Sequence, residues 1–254
     1  MELSRAQAAL IRALFTRHGR KKNRCCVVEG PRAVGELLAG RPESVRFLVR
    51  SANVPFDPQG HPMAELTESR FAVLSSTVNS QGILAVSEIP QEPGMEDAPA
   101  DPWIFALDRV ADPGNFGTIC RTARASGLTE LWLTVGTADP YGDKALRSGL
   151  GSQFTMRFRT FPDLAALQQA AAHFGYGPVW LTDPHRGNDL FAEEALYERS
   201  VLVIGSEGGG VAELEGAPRV HIPMPGNFES LNAAQAATIV LFEHVRRLTS
   251  AGGK

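Results

Sequence analysis

From residue 103 onward the chain repeats one pattern, a short apolar run followed by a stretch of helical spacing. The apolar runs fall at 103–107, 131–135, 179–182, 201–204 and 219–222, and helical spacing fills 115–126, 163–174 and 233–248. Adjacent parallel strands need a long crossover between them, and a helix supplies it. The alternation therefore predicts an α/β fold with a mostly parallel sheet, and places ligand sites at the carboxyl ends of its strands.

A smaller module precedes this region. Helical spacing covers 3–18, a buried strand is expected over 25–30, and Pro31 opens a helix through Leu38 at the one helical position that tolerates proline. A second strand is expected over 45–49 and another over 82–86, while 64–66 reads as the start of a helical piece. Residues 89–102 hold four prolines and four acidic residues with little that packs, which marks a linker. The expected organisation is a small α/β domain over 1–88, a linker over 89–102 and a larger α/β domain over 103–254.

No apolar run approaches the ~20 residues of a membrane helix, and the N-terminus lacks a secretory pattern. Three cysteines cannot form a disulfide framework, and adjacent Cys25 and Cys26 would make a strained bridge. The expectation is a reduced, cytoplasmic protein with no membrane partner. The net charge of −3 conceals an uneven distribution. Residues 1–50 carry eleven Lys/Arg against four Asp/Glu, whereas 51–100 carry one against seven. The densest cluster contains Arg20, Lys21, Lys22 and Arg24. On an otherwise acidic chain such a cluster is either a solvated face or a footprint for a polyanion such as RNA.

Three stretches have compositions that call for chemistry. Residues 108–127 read DRVADPGNFGTICRTARASG, a strand end, a turn and a helix carrying Arg121 and Arg124 on roughly one face. An amide at Asn115 and two guanidiniums above a sheet edge suggest a phosphate or sugar site. Residues 201–211 read VLVIGSEGGGV. Their spacing fits neither the dinucleotide fingerprint nor a P-loop, and Glu207 would repel phosphate. Glycines there allow a close backbone approach to a cationic or zwitterionic ligand. Residues 222–245 run from Ile222 and Met224 through Ser230, Leu231 and Asn232 into an alanine-rich helix, with Ser230 or Asn232 as its cap. The six histidines show no ligand spacing, so no metal is expected. The Asp183-Pro184-His185 segment reads as a turn.

Together these stretches resemble the three motifs of the SpoU/TrmH RNA 2′-O-ribose methyltransferases, within the SPOUT class, in order and spacing over 103–248. The N-terminal module, with Val28-Glu29-Gly30 and Leu74-Ser75-Ser76-Thr77, is similar to the substrate-binding domain many members carry. The resemblance implies a C-terminal trefoil knot, S-adenosylmethionine as cofactor, RNA as substrate and a homodimer through the catalytic domain. It implies cofactor contacts at Thr134, Gly136, Gly205, Ile222, Met224 and Leu231, and a catalytic set of Asn115, Arg121, Glu207, Ser230 and Asn232. Arg20, Lys21, Lys22, Arg24 and Arg124 are the expected RNA contacts.

In the family Arg121 is often cast as the base that deprotonates the ribose hydroxyl. Guanidinium is essentially never deprotonated in proteins, so a phosphate clamp and alkoxide stabiliser is the easier role. The extra N-terminal module favours 23S ribosomal RNA as the target. The competing readings are a tRNA ribose methyltransferase, an antibiotic-resistance rRNA methyltransferase, a non-catalytic RNA-binding factor, and a nicotinamide oxidoreductase weakened by the missing fingerprint.

Overall fold

The computed structural model describes residues 2–226 and 228–251. It divides into two compact units, Met1–Gln91 with Asp139–Thr155, and Glu92–Ala138 with Met156–Lys254.

In the first unit, Ser4 opens helix α1 (Arg5–Leu14) with a capping box, its hydroxyl accepting from Gln7 N at 3.2 Å while its own N–H donates to Gln7 Oε1 at 2.9 Å. The single helix expected over 3–18 is instead two. The Thr16 hydroxyl accepts from Gly19 N at 3.0 Å and starts α2 (Arg17–Asn23), so the chain turns at Thr16. Strands β1 (Cys25–Glu29), β2 (Val45–Ser51), β3 (Met63–Leu66) and β4 (Ile83–Glu88) form a sheet in the order β1-β4-β2-β3. The helix α3 (Pro31–Gly40) lies between β1 and β2 in sequence, and α4 (Glu68–Leu74) follows β3.

Residues 64–66, expected to be helical, form β3 beside β2 in parallel register. β2 offers these residues an edge, and the helix starts late. The cap is Thr67, whose hydroxyl accepts from Arg70 N at 3.4 Å, so helix geometry begins only at Glu68 and the preceding residues stay extended. The first unit also takes in α6 (Asp143–Ser148), which packs on β1, and a 3₁₀ turn over Ser152–Thr155 against α3. That segment lies inside the 103–254 range expected to form one catalytic domain.

The second unit is a seven-stranded sheet in the order β7-β6-β5-β10-β8-β11-β9. Its strands are β5 (Ile104–Asp108), β6 (Glu130–Thr134), β7 (Arg157–Phe161), β8 (Val179–Thr182), β9 (Asn188–Asp189), β10 (Val201–Gly205) and β11 (Arg219–His221). Every pairing is parallel. The helices α5 (Pro113–Ala125), α7 (Leu164–His173) and α8 (Ala233–Ala251) are those the spacing predicts. β5, β6 and β10 are almost wholly buried and read as continuous apolar runs, as strands covered on both faces do.

Two strands are not marked by a continuous apolar run in the sequence. β9 is only two residues long. β7 carries two arginines because it is held by charge: Arg159 donates to Glu130 Oε1 at 2.5 Å, and Arg157 pairs with the same carboxylate at 2.8 Å. Arg159 also donates to the carbonyls of Gly94, at 2.6 Å, and Asp97. The Asp101 carboxylate is buried and accepts from the N–H groups of Thr129 and Glu130 at 2.9 Å. Much of the expected 89–102 linker is therefore fastened to the second unit.

Candidate active site

β10 lies beside β5 with Gly205 level with Asp108, so the first two unusual stretches leave the sheet side by side at its carboxyl edge. The chain runs outward from β5 through β6 and β7, then returns to β8 on the far side of β10. Such a reversal of strand order opens a crevice for ligands in α/β sheets.

Asp108 fixes this edge. It is 2% exposed, and its carboxylate accepts from the Thr134 hydroxyl at 2.6 Å, from Ala212 N at 2.8 Å and from the Arg109 guanidinium at 2.8 and 3.1 Å. Burial pushes its carboxyl up, but the hydrogen bonds from Arg109, Thr134 and Ala212 outweigh burial and hold it below the ordinary range. One carboxylate thus joins the ends of β5 and β6 to the end of the glycine-rich loop.

Three polar side chains, one from each stretch, meet at this edge. Asp112 caps α5 by accepting from Asn115 N at 2.8 Å, which orients Asn115 on the first turn. The Asn115 amide donates to Glu207 Oε1 at 2.8 Å. Asn232 caps α8, its Oδ1 accepting from Ala234 N at 3.0 Å and Gln235 N at 3.3 Å. With Oδ1 committed to the cap, its amide nitrogen points away from the helix. It donates to Asn115 Oδ1 at 3.2 Å and also to Glu207 Oε1. Glu207 and Asn232 are exposed, and bonds so open to water add little to stability.

Beside this cluster is a cavity of about 320 Å³. Ile204, Val211, Ile222, Met224 and Leu231 give it apolar walls, and Gly205 and Ser230 also line it. Its charged lining residues are the carboxylates Asp183, Glu207 and Glu229, and among the described residues no lysine, arginine or histidine lines it. At Gly205 an added Cβ would come within 2.1 Å of the Gly210 carbonyl carbon, so only glycine fits where β10 meets its own loop. An apolar slot with acidic walls suits a flat base attached to a cationic or zwitterionic tail and disfavours phosphates.

Of the expected cofactor residues, Gly205, Ile222, Met224 and Leu231 line this cavity. Thr134 and Gly136 stand apart from it. The Thr134 hydroxyl is committed to Asp108, and Gly136, at φ +102°, lies against the Arg109 side chain. Both shape the loop edge rather than the cavity wall. Among the expected catalytic residues, Asn115, Glu207 and Asn232 are brought together and Ser230 lines the cavity. Arg121 is exposed on α5 and has no hydrogen-bond or ion-pair partner among the described residues, so its fork is available to a ligand. Arg124 is also exposed.

Arg20 departs from expectation. It is 6% exposed, pairs with Asp139 at 2.7 and 2.9 Å and donates to the Leu14 carbonyl at 2.9 Å. It holds the first unit together, while Lys21, Lys22 and Arg24 are exposed at its surface.

The sequence reading missed one wall. Thr182, Asp183 and Pro184 line the cavity from the end of β8. Burial raises the Asp183 carboxyl, but the N–H groups of His185 and Arg186 and the Arg186 guanidinium hold it below its ordinary range. The segment is a turn, as expected. Its position at the carboxyl end of a parallel strand was the available signal that it does more.

Comparisons with known proteins identify the family. Residues 102–242 match the SpoU rRNA Methylase family, and residues 8–85 match the MRM3-like substrate binding domain. The chain belongs to the SpoU rRNA methylase family. It is a methyltransferase whose methyl donor is S-adenosylmethionine. It is 33% identical over 240 residues to the 23S rRNA (guanosine(2553)-2'-O)-methyltransferase RlmP of Bacillus subtilis, covering 92% of this chain and 93% of the relative. Among solved structures it resembles the AdoMet-bound rRNA methyltransferase of Sinorhizobium meliloti, with a TM-score of 0.82 and 28% identity over 98% of this chain and 97% of that one. The SpoU methyltransferase AviRb of Streptomyces viridochromogenes, solved with AdoMet, gives a TM-score of 0.81 at 26% identity over 97% and 99% of the two chains.

Proposed function

We propose that this protein methylates a ribose 2′-hydroxyl of large-subunit ribosomal RNA. The observation that carries the reading is the joining of Asn115, Glu207 and Asn232, from three separate stretches, beside a cavity that no basic residue lines among the described residues. The Bacillus subtilis relative, named for 2′-O-methylation of 23S rRNA and aligned over nearly its full length, supports the RNA class.

The cofactor fits the residues present. Ile222, Met224 and Leu231 would hold the adenine against apolar surface and loop backbone, and Asp183, Glu207 and Glu229 suit the positive charges of its tail. S-adenosylmethionine supplies an electrophilic methyl group on a sulfonium. The protein's task is then alignment, which supplies up to ~7–11 kcal/mol of such a barrier. Asn115 and Asn232 fix the edge at which the ribose is presented. Arg121 grips the phosphate beside that ribose and stabilises the developing alkoxide, and the proton leaves to water or to the phosphate.

Other features of the reading have narrower support. A homodimer through the catalytic domain is consistent with Phe242 and Leu248 of α8, 46% and 58% exposed. Membership of the family supports the expected threading of α8 as the end of a knot. Three unpaired, buried cysteines fit a reduced cytoplasm, and no described helix is long and apolar enough to cross a membrane.

Calorimetry should detect S-adenosylmethionine binding and no NAD binding, and wild-type protein should methylate 23S rRNA from a strain lacking it. Methylation of tRNA alone would overturn the ribosomal reading. Arg121→Lys keeps the charge but loses the bidentate fork. Near-normal single-turnover methylation by that variant would remove the clamp role.

A further inference from the structure

The first unit contains a second recess, of about 460 Å³, whose lining holds lysine and arginine where the cavity of the second unit holds none among the described residues. Its cations are Lys22, Arg24, Arg41 and Arg46, against the carboxylates Glu43 and Glu88. Lys22 and Arg24 have no hydrogen-bond or ion-pair partner for their side chains among the described residues. Arg46 donates to a single Glu88 oxygen, from Nε and Nη2, both at 3.1 Å, and Arg41 reaches Glu43 at only 3.3 Å. These are exposed pairs of the kind that contributes ~0–1 kcal/mol, so a phosphate can displace the carboxylates readily.

The frame under these side chains is rigid. Arg24 takes the left-handed conformation, φ 51°, at the end of α2, and its carbonyl accepts from Ile89 N at 2.9 Å. The buried Ser44 donates to the Arg41 carbonyl at 2.7 Å and shares a 2.8 Å hydrogen bond with Ser87. The cations therefore project from three separate points of fixed backbone: the end of α2, the turn before β2, and β2 itself.

From this geometry we infer that the recess is a binding site for the phosphodiester backbone of the RNA substrate, with Lys22, Arg24, Arg41 and Arg46 as its contacts. Rigidly based guanidiniums match phosphate oxygens in pairs, and a polar recess of this size holds a stretch of backbone better than a buried base. The site divides the basic N-terminal cluster into three roles. Arg20 is structural, Lys22 and Arg24 face the groove, and Lys21, on the same helix, does not line it. Arg41 and Arg46, outside the cluster in sequence, join it in space.

The inference rests on the reading that this protein acts on RNA, and the two can fail separately. The full-length protein is titrated with 23S rRNA transcribed in vitro, over a series of salt concentrations. Replacing Lys22, Arg24, Arg41 and Arg46 together with glutamine should weaken binding at least ~10-fold and flatten the slope of log K against log salt by ~0.7–0.9 for each phosphate no longer neutralised. Its melting curve and S-adenosylmethionine affinity should stay at wild-type values, which confirms folding. Glu88→Gln, which frees Arg46, should tighten RNA binding ~2–5-fold. Lys21→Gln should weaken binding less than Lys22→Gln. Wild-type affinity and an unchanged salt slope in the fourfold variant would overturn the groove and leave the RNA reading intact. Absence of wild-type RNA binding would overturn both. Inorganic phosphate that binds wild type and not the variant, with equal RNA affinities, would make the recess a small-anion pocket and also overturn the proposal.

Discussion

The two recesses of this protein are built from opposite materials. The cavity at the sheet edge of the second unit has apolar walls, three carboxylates and, among the described residues, no base, whereas the groove of the first unit has four cations against two carboxylates and a polar floor. Both are fixed by backbone caps and turns, so rigidity does not distinguish them. Charge does. An acidic slot selects a cationic cofactor and rejects nucleotides with phosphates, and a basic groove selects the polyanion the first would repel. A methyltransferase acting on RNA has to bind ligands of both kinds, and dividing the two charges between separate recesses keeps each from weakening the other.

The largest test of that contrast is Gly205→Val. A side chain forced against the Gly210 carbonyl should abolish S-adenosylmethionine binding, a loss of at least ~100-fold by calorimetry, while RNA affinity at the groove is kept. Loss of both would mean that the two sites are not independent.

A smaller effect is expected at Asn232, which serves both as helix cap and as partner of Glu207. Asn232→Ala should lower stability by ~1 kcal/mol through the lost cap and slow methyl transfer ~10-fold. Asn232→Ser restores a cap but not the amide donor. It should recover the melting temperature without recovering the rate, and recovery of both would reduce the three-residue cluster to a capping device. The Asp183 carboxylate pairs with Arg186 at 2.9 Å and Arg219 at 3.1 Å. Asp183→Asn removes it and leaves those guanidiniums unpaired by it near the cavity, and should weaken S-adenosylmethionine binding by ~3–10-fold, with RNA affinity unmoved.

The smallest effect is on pH dependence. The carboxyls of Asp108 and Asp183 lie below their ordinary 3.8, so the charges at the cavity edge persist as pH falls through the usual carboxylate range. Their contribution to stability is in place above that unfolded value and is lost as pH falls through the lowered folded values. Cofactor affinity should therefore be flat from pH ~8 to ~5. In melts carried into acid, Asp108→Asn should show a shallower decline than wild type below pH ~4. Equal slopes would remove Asp108 as the charge that locks the loop.

Much of the molecule is legible in the sequence where local chemistry is strong. The central strands are apolar runs, α5 and α8 carry Asp112 and Asn232 at their starts, and the three motifs lie in register with a known family. What is misread there depends on partners distant in sequence. β7 is no continuous apolar run because two arginines held by Glu130 interrupt its buried Phe158 and Phe161, and residues 64–66 became a strand because β2 offered an edge. Arg20 resembles its basic neighbours in every local respect. Asp139, 119 positions away, and the Leu14 carbonyl take it out of solvent.

The sequence by itself determined the α/β class, the family, the cofactor and most of the polar residues of the site, because periodicity, caps and motif spacing are properties of neighbouring residues. The tertiary structure alone decided which of those residues act together. It placed Thr182–Pro184 in the cavity wall, turned Thr134 toward Asp108, and set Arg41 and Arg46 beside Lys22 and Arg24. The physical reason is that charge pairing and cavity walls depend on distances through space, and the fold sets these by sheet order and register.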